Sequence, residues 1–153
     1  MSEGGIEKAR PLLEESMSVA KDLDDKSAKL SALLGMGQLE LTEGRRPEAR
    51  GHLVAALHLG ATELRDAAAG LAALSALALQ EGSPRFAAQL LGAIESALAP
   101  LGLVVEPPVK GLHDRTLGEV KSALGEAAFE AAWEEGRRWS VAEAVERASV
   151  EVT

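Results

Sequence analysis

Along most of the chain apolar residues recur three and four positions apart, the spacing that lines one face of an α-helix. The period runs through eight segments, at about 9–22, 25–43, 47–59, 62–81, 84–100, 109–124, 126–136 and 141–149. Glycine and proline punctuate them. Gly44 and Gly82 are placed to end helices, Pro47 and Pro84 suit the first turn of the helices that follow, and Ser83 stands as an N-cap. Gly60 is placed to end a further helix and Thr62 to cap the next. Pro11 removes a backbone donor, so the first helix is expected to begin close to Ala9. The stretch LGLVVEPP, Leu101 to Pro108, is the one clear break. With helix formers throughout and few β-branched residues, the expected class is all-α.

Two of these segments repeat. LLGMGQLELTEGRRPEARGHLVAAL places Gly37, Gly44, Ala49 and Leu53 where LAALSALALQEGSPRFAAQLLGAI places Ser75, Gly82, Ala87 and Leu91, and 38 residues separate Gly44 from Gly82. A half copy, EKARPLLEESM, puts Ala9 and Leu13 in the roles of Ala49 and Leu53. The unit is a helix, a tight glycine turn and a second helix. Small residues at its crossing let the two helices of a pair approach closely, and Leu53 and Leu91 are expected to fill the groove between pairs. The expected organisation is a half repeat at 1–23, repeats at 24–60 and 61–102, and a C-terminal pair of capping helices within 103–153. AAAGLAALSALAL, apolar almost all round, is expected to lie at the centre with neighbours on several sides.

The C-terminal segment holds both tryptophans and one of the two phenylalanines. Phe129, Ala132 and Trp133 share a helical face, Trp139 precedes an N-cap at Ser140, and Ser140 with Glu143 has the spacing of a capping box. Phe129, Trp133, Trp139, Ser140 and Glu143 are therefore read as a structural cap closing the last repeat.

The repeat unit, with a small residue, a glycine seven later, an alanine five further and a large apolar residue four beyond, resembles the tetratricopeptide repeat. It departs from that pattern where Leu33, Leu71 and Ala78 replace first-helix aromatics, and in a period longer than about 34 residues. The run AAQLLGAIESALAPLGLVVEPP followed by LGEAAFEAAWEEGRRWSVAEAVERA resembles the C-terminal arm of bacterial LuxR-family and MalT-like signalling ATPases and transcriptional regulators. That resemblance implies a tetratricopeptide-like α-α superhelix and a non-catalytic module that binds a protein or peptide partner in bacterial signalling. In a superhelix the first helices of each pair line a concave groove, so Gln38, Glu40, Leu41, Ala78 and Gln80 are the expected contact positions. An alternative role is an effector-sensing or autoinhibitory arm of a larger signalling ATPase, binding a small ligand. Because Met1 to Leu23 supplies a second helix with no first-helix partner, homodimerisation through that helix is also expected.

Charge and chemistry narrow the function further. Net charge is −8, and from residue 103 onward ten acidic residues face six Lys and Arg, which disfavours direct binding of nucleic acid. There is no cysteine, no apolar run long enough for a membrane span and no signal-length apolar stretch near MSEGGIEKAR, so the expected location is the cytoplasm. His52 and His58, six apart, do not share a helical face, and His113 beside Asp114 has no accompanying nucleophile motif. Glu126, Glu130 and Glu134 form an acidic stripe of the kind usually left in solvent, and Arg137 to Ser140, a kinase-like tetrapeptide, is better explained by the Ser140 cap. No phosphate-binding loop, nucleophile elbow or zinc-protease motif is present. Neither an enzymatic activity nor a cofactor or metal is expected.

Overall fold

The computed structural model describes residues 3–23, 25–60, 64–105 and 109–150, and every regular element among them is helical. α1 spans Glu3–Asp22, α2 Lys26–Glu43, α3 Arg46–Gly60, α4 Leu64–Gln80, α5 Pro84–Leu98, α6 Val109–Leu124, α7 Glu126–Arg137 and α8 Val141–Val150; a single 3₁₀ turn at Ala99–Leu101 extends α5. The helices expected from the apolar period are thus present, and Thr62 lies outside the described residues.

Local chemistry explains most boundaries. The Asp25 carboxylate accepts from the Ala28 N–H at 3.1 Å and opens α2, and Gly44, at φ 78°, closes it while its N–H reaches the Glu40 and Leu41 carbonyls. Gly82 repeats that left-handed turn after α4, at φ 81°. Two boundaries differ from expectation. α1 starts at Glu3 rather than near Ala9 and carries Pro11 in its interior; Pro11 is exposed, so water can satisfy the carbonyl it leaves unpaired. Ser83 stands at the N-cap of α5 without a side-chain capping bond, and Pro84 at the first helical position, its φ already fixed near the helical value, starts the helix there.

Packing follows the small residues. α2 and α3 form a hairpin in which a Cβ at Gly37 would run into the Leu53 side chain, and Leu53 is fully buried. Gly70 of α4 receives Leu57 of α3 in the same way, and Gly35 of α2 receives Leu13 of α1. The joint between hairpins is repeated too: Arg10 of α1 pairs with Glu43 at the end of α2, and Arg50 of α3 pairs with Glu81 just past α4. α4 is the central element. Ala67 to Ala78 is buried apart from the partly exposed Ala69, and α4 packs against α2, α3, α5, α6 and α8. Burying a leucine such as Leu71 or Leu77 there contributes about 1.5–3 kcal/mol. α2, α4 and α6 touch in a row, while α1, α3 and α5 alternate with them along the chain.

The most extensive contact joins α5 to α7. A Cβ at Gly92 would meet the Trp133 carbonyl, and one at Gly136 would meet the Gln89 backbone, so the two helices approach main chain to main chain. Gly136 is not the end of α7, which continues to Arg137; it is buried within the interface. Beyond it the chain turns at Arg138–Ser140 and α8 returns across α3, α4 and α5, burying Ala144, Val145 and Ala148.

Candidate functional site

The row formed by α2, α4 and α6 encloses an open cavity of about 640 Å³, within the size range of ligand-binding clefts. Its lining follows the sequence period. Gln38, Leu41 and Thr42 come from α2, Ala76, Leu79 and Gln80 from α4, and Leu112, Arg115 and Thr116 from α6, with Gly111 and Glu119 completing α6. Each helix contributes residues at offsets of three and four, one face of a helix presented three times. The α2 and α4 sets are 38 residues apart, the repeat length itself.

Leu41, Ala76, Leu79 and Leu112 supply apolar surface, and amides, hydroxyls and two opposite charges surround it. Several polar groups are anchored to the backbone. The Thr42 hydroxyl donates to the Gln38 carbonyl at 3.1 Å, the Thr116 hydroxyl to the Leu112 carbonyl at 2.8 Å, and the Gln80 side chain reaches the Leu41 carbonyl at 3.4 Å, bridging α4 to α2. Arg46 donates to the Gln80 carbonyl at 3.1 Å. Arg115 is exposed and bonds through Nε to the Gly111 carbonyl of its own helix. The surface is suited to hydrogen bonding and shape recognition.

Of the contact positions read from the sequence, Gln38, Leu41 and Gln80 meet in this cavity. Glu40 and Ala78 do not line it. Glu40 is buried on another face of α2, where Oε1 lies 2.5 Å from His52 Nδ1 of α3, and Ala78 is buried in the packing of α4. The reason is geometric: adjacent helical residues diverge by about 100°, so positions 38, 41 and 42 share a face that position 40 leaves. The α6 residues Leu112, Arg115, Thr116 and Glu119 were not anticipated. Their signal, an L-x-x-R-T set 36 residues after Ala76, is faint because Gly125 follows Gly82 by 43 residues instead of 38.

The aromatic segment divides into two contacts. Phe129 and Trp133 stack on α7 with centroids 5.4 Å apart, and Lys121 of α6 lies 5.3 Å from the Phe129 ring. Trp139 turns away to meet Phe86 of α5 at 6.4 Å and carries the Arg147 guanidinium 4.5 Å from its ring centre. The Ser140 hydroxyl accepts from the Glu143 N–H at 3.1 Å, so Ser140 caps α8. Glu143 Oε2 lies 3.3 Å from Arg147 one turn on, which directs that carboxylate along α8 instead of back to the cap.

The remaining ionisable groups serve local roles. Lys110 Nζ donates to Asp114 Oδ2 at 2.5 Å, and His113 Nδ1 stands 3.4 Å from Asp114 Oδ1. The hydrogen bond from Lys110, followed by that from His113, holds the Asp114 carboxyl below the ordinary aspartate value. His58 Nε2 meets the Ser149 hydroxyl at 3.2 Å, linking α3 to α8. Glu126, Glu130 and Glu134 are exposed. Among the described residues, no three His, Asp or Glu converge into a metal-binding group, and no helix is long and apolar enough to cross a membrane.

The class these observations define is an all-α protein with an open groove across three helices and a C-terminal helix folded back on its centre. Comparison with protein-family models, with curated proteins and with solved structures finds no match to this chain.

Proposed function

We propose that the protein is a non-catalytic interaction module of tetratricopeptide-like type, in which the α2, α4 and α6 groove holds a peptide segment of a partner protein. One observation carries the reading: the groove is lined by the same helical face, at 38/41/42, 76/79/80 and 112/115/116, on three alternate helices. A surface reused along a repeat offers a polypeptide similar contacts at similar intervals. Site-specific photocrosslinking in the source organism tests it. A benzophenone amino acid at exposed Thr42, Gln80 or Arg115 is expected to trap a common partner that the same group at Glu130 on α7 does not trap. Equal trapping at all four positions, or none in the groove, removes the assignment.

Self-association through α1 belongs to the same proposal. Leu12 and Val19, seven residues apart on one face of that helix, and Leu23 just past its end are 63%, 49% and 71% exposed. Light scattering at tens of micromolar is expected to give twice the 16.0 kDa chain mass, and the chain mass itself for Leu12→Glu combined with Leu23→Glu. A monomer in both refutes it.

A further inference from the structure

A second cavity, of about 530 Å³, opens where α5 passes into α6, away from the peptide groove. Its walls are apolar: Ile94 and Leu98 of α5, Leu103 and Val105 of the connecting segment, and Trp133 of α7. Glu95 of α5 and Lys110, His113 and Asp114 of α6 complete the lining.

The two carboxylates at this apolar sac are partnered unequally. Lys110 is committed to Asp114 at 2.5 Å, whereas Arg137, at the far side of Glu95, is divided between Glu95 at 3.5 Å and Glu134 at 3.9 Å. Among the described residues lining the cavity, two carboxylates, Glu95 and Asp114, face one lysine, Lys110. Glu95 Oε2 is shielded from water and accepts no hydrogen bond, its contact with Arg137 being electrostatic alone. Leaving a shielded carboxylate oxygen without a donor is unfavourable. The terminal torsion of a glutamate is soft, so the carboxylate can turn toward a donor arriving from the cavity. Apolar walls, Trp133 among the lining residues and a carboxylate oxygen that accepts no hydrogen bond together describe the complement of an organic cation.

We propose that this cavity binds a small organic amine, with its apolar body against Ile94, Leu98, Leu103 and Trp133 and its ammonium beside Glu95. The site is separate from the peptide groove, and its test does not depend on the groove being occupied.

The experiment uses the full chain and three probes with one apolar body and different heads: phenylpropylamine, phenylpropanol and phenylpropanoate. Binding is followed by calorimetry and by the indole N–H signal of Trp133, identified from its loss in Trp133→Phe. The amine is expected to shift that signal saturably and to bind roughly tenfold or more tightly than the alcohol, with the carboxylate weakest. Glu95→Gln is expected to remove the preference for amine over alcohol while leaving alcohol binding unchanged. Because the Glu95 side chain is only partly covered, this variant should keep its fold, which the unfolding midpoint checks. Equal affinity for amine and alcohol, absence of saturable binding, or an amine preference that survives Glu95→Gln overturns the proposal.

Discussion

Replacing Gly136 by alanine tests the reading of the α5–α7 interface, because two effects of opposite sign compete there. In an exposed helix, glycine to alanine stabilises by about 0.5–1 kcal/mol through backbone entropy and helix propensity. At Gly136 the added methyl meets the carbonyl oxygen, carbonyl carbon and Cα of Gln89, none of which can rotate aside as a side chain would. The helices must separate, and Phe129, Ala132 and the α5 residues opposite lose contact. Overpacking of this kind costs about 1–3 kcal/mol even when side chains absorb it. A backbone obstacle belongs at or above the upper end of that range. The net effect is destabilisation on the order of 2 kcal/mol, and a fall in Tm of about 4–8 °C for a chain of this size. Gly118→Ala is the matched control: Gly118 is exposed on α6 with open space around it, so Tm should rise by about 1–4 °C. Urea unfolding and thermal melts followed by circular dichroism read both. If Gly136→Ala melts at or above the parent chain, the backbone contact is not what holds α7 on α5.

Three further outcomes follow from single contacts. His52→Ala leaves the buried Glu40 carboxylate without its partner and is expected to lower stability by about 1–3 kcal/mol in urea unfolding, with part of the loss recovered when Glu40→Gln is added. Ser140→Ala removes the α8 cap and should cost about 1 kcal/mol, whereas Glu143→Ala, which loses only a surface pair with Arg147, should change the midpoint by a few tenths. Carboxyl titration by nuclear magnetic resonance should place Asp114 below the 3.8 of an ordinary aspartate, and Lys110→Ala should raise it toward that value, since the Lys110 hydrogen bond to the ionised form is removed.

The all-α class was legible because apolar spacing and glycine punctuation agree at every level from Gly44 to Gly125. Gly37 was read as a small residue at a helix crossing, while Leu53, expected in the groove between hairpins, packs on Gly37 within one hairpin. The central position of α4 followed from an apolar run with no polar face to give to solvent. What sequence reading missed depends on the third dimension. Gly92 and Gly136 carry no local turn; their purpose exists only where two backbones, 44 residues apart, come together. Trp139 looked like part of one cluster with Phe129 and Trp133, yet the chain reverses between them and Trp139 reaches Phe86 on α5. Gln38, Leu41 and Gln80 line one cavity, whereas Glu40 faces His52 of α3, because which neighbour a buried helical position meets depends on how the helices pack.

The return of α8 across the middle of the molecule changes how the protein should come apart. When each hairpin touches only its neighbours, an array opens piecemeal from either end. Here the His58–Ser149 bond spans 91 residues and Val145 and Ala148 lie buried in the core shared with α3, α4 and α5, so α4 to α7 sit inside a closed circuit. Amide protons of α3 to α8 should exchange with solvent together, through one global opening, while those of α1, which packs mainly on α2, fray far earlier. The fastened end and the loose end give a modular sequence a non-modular response to stress.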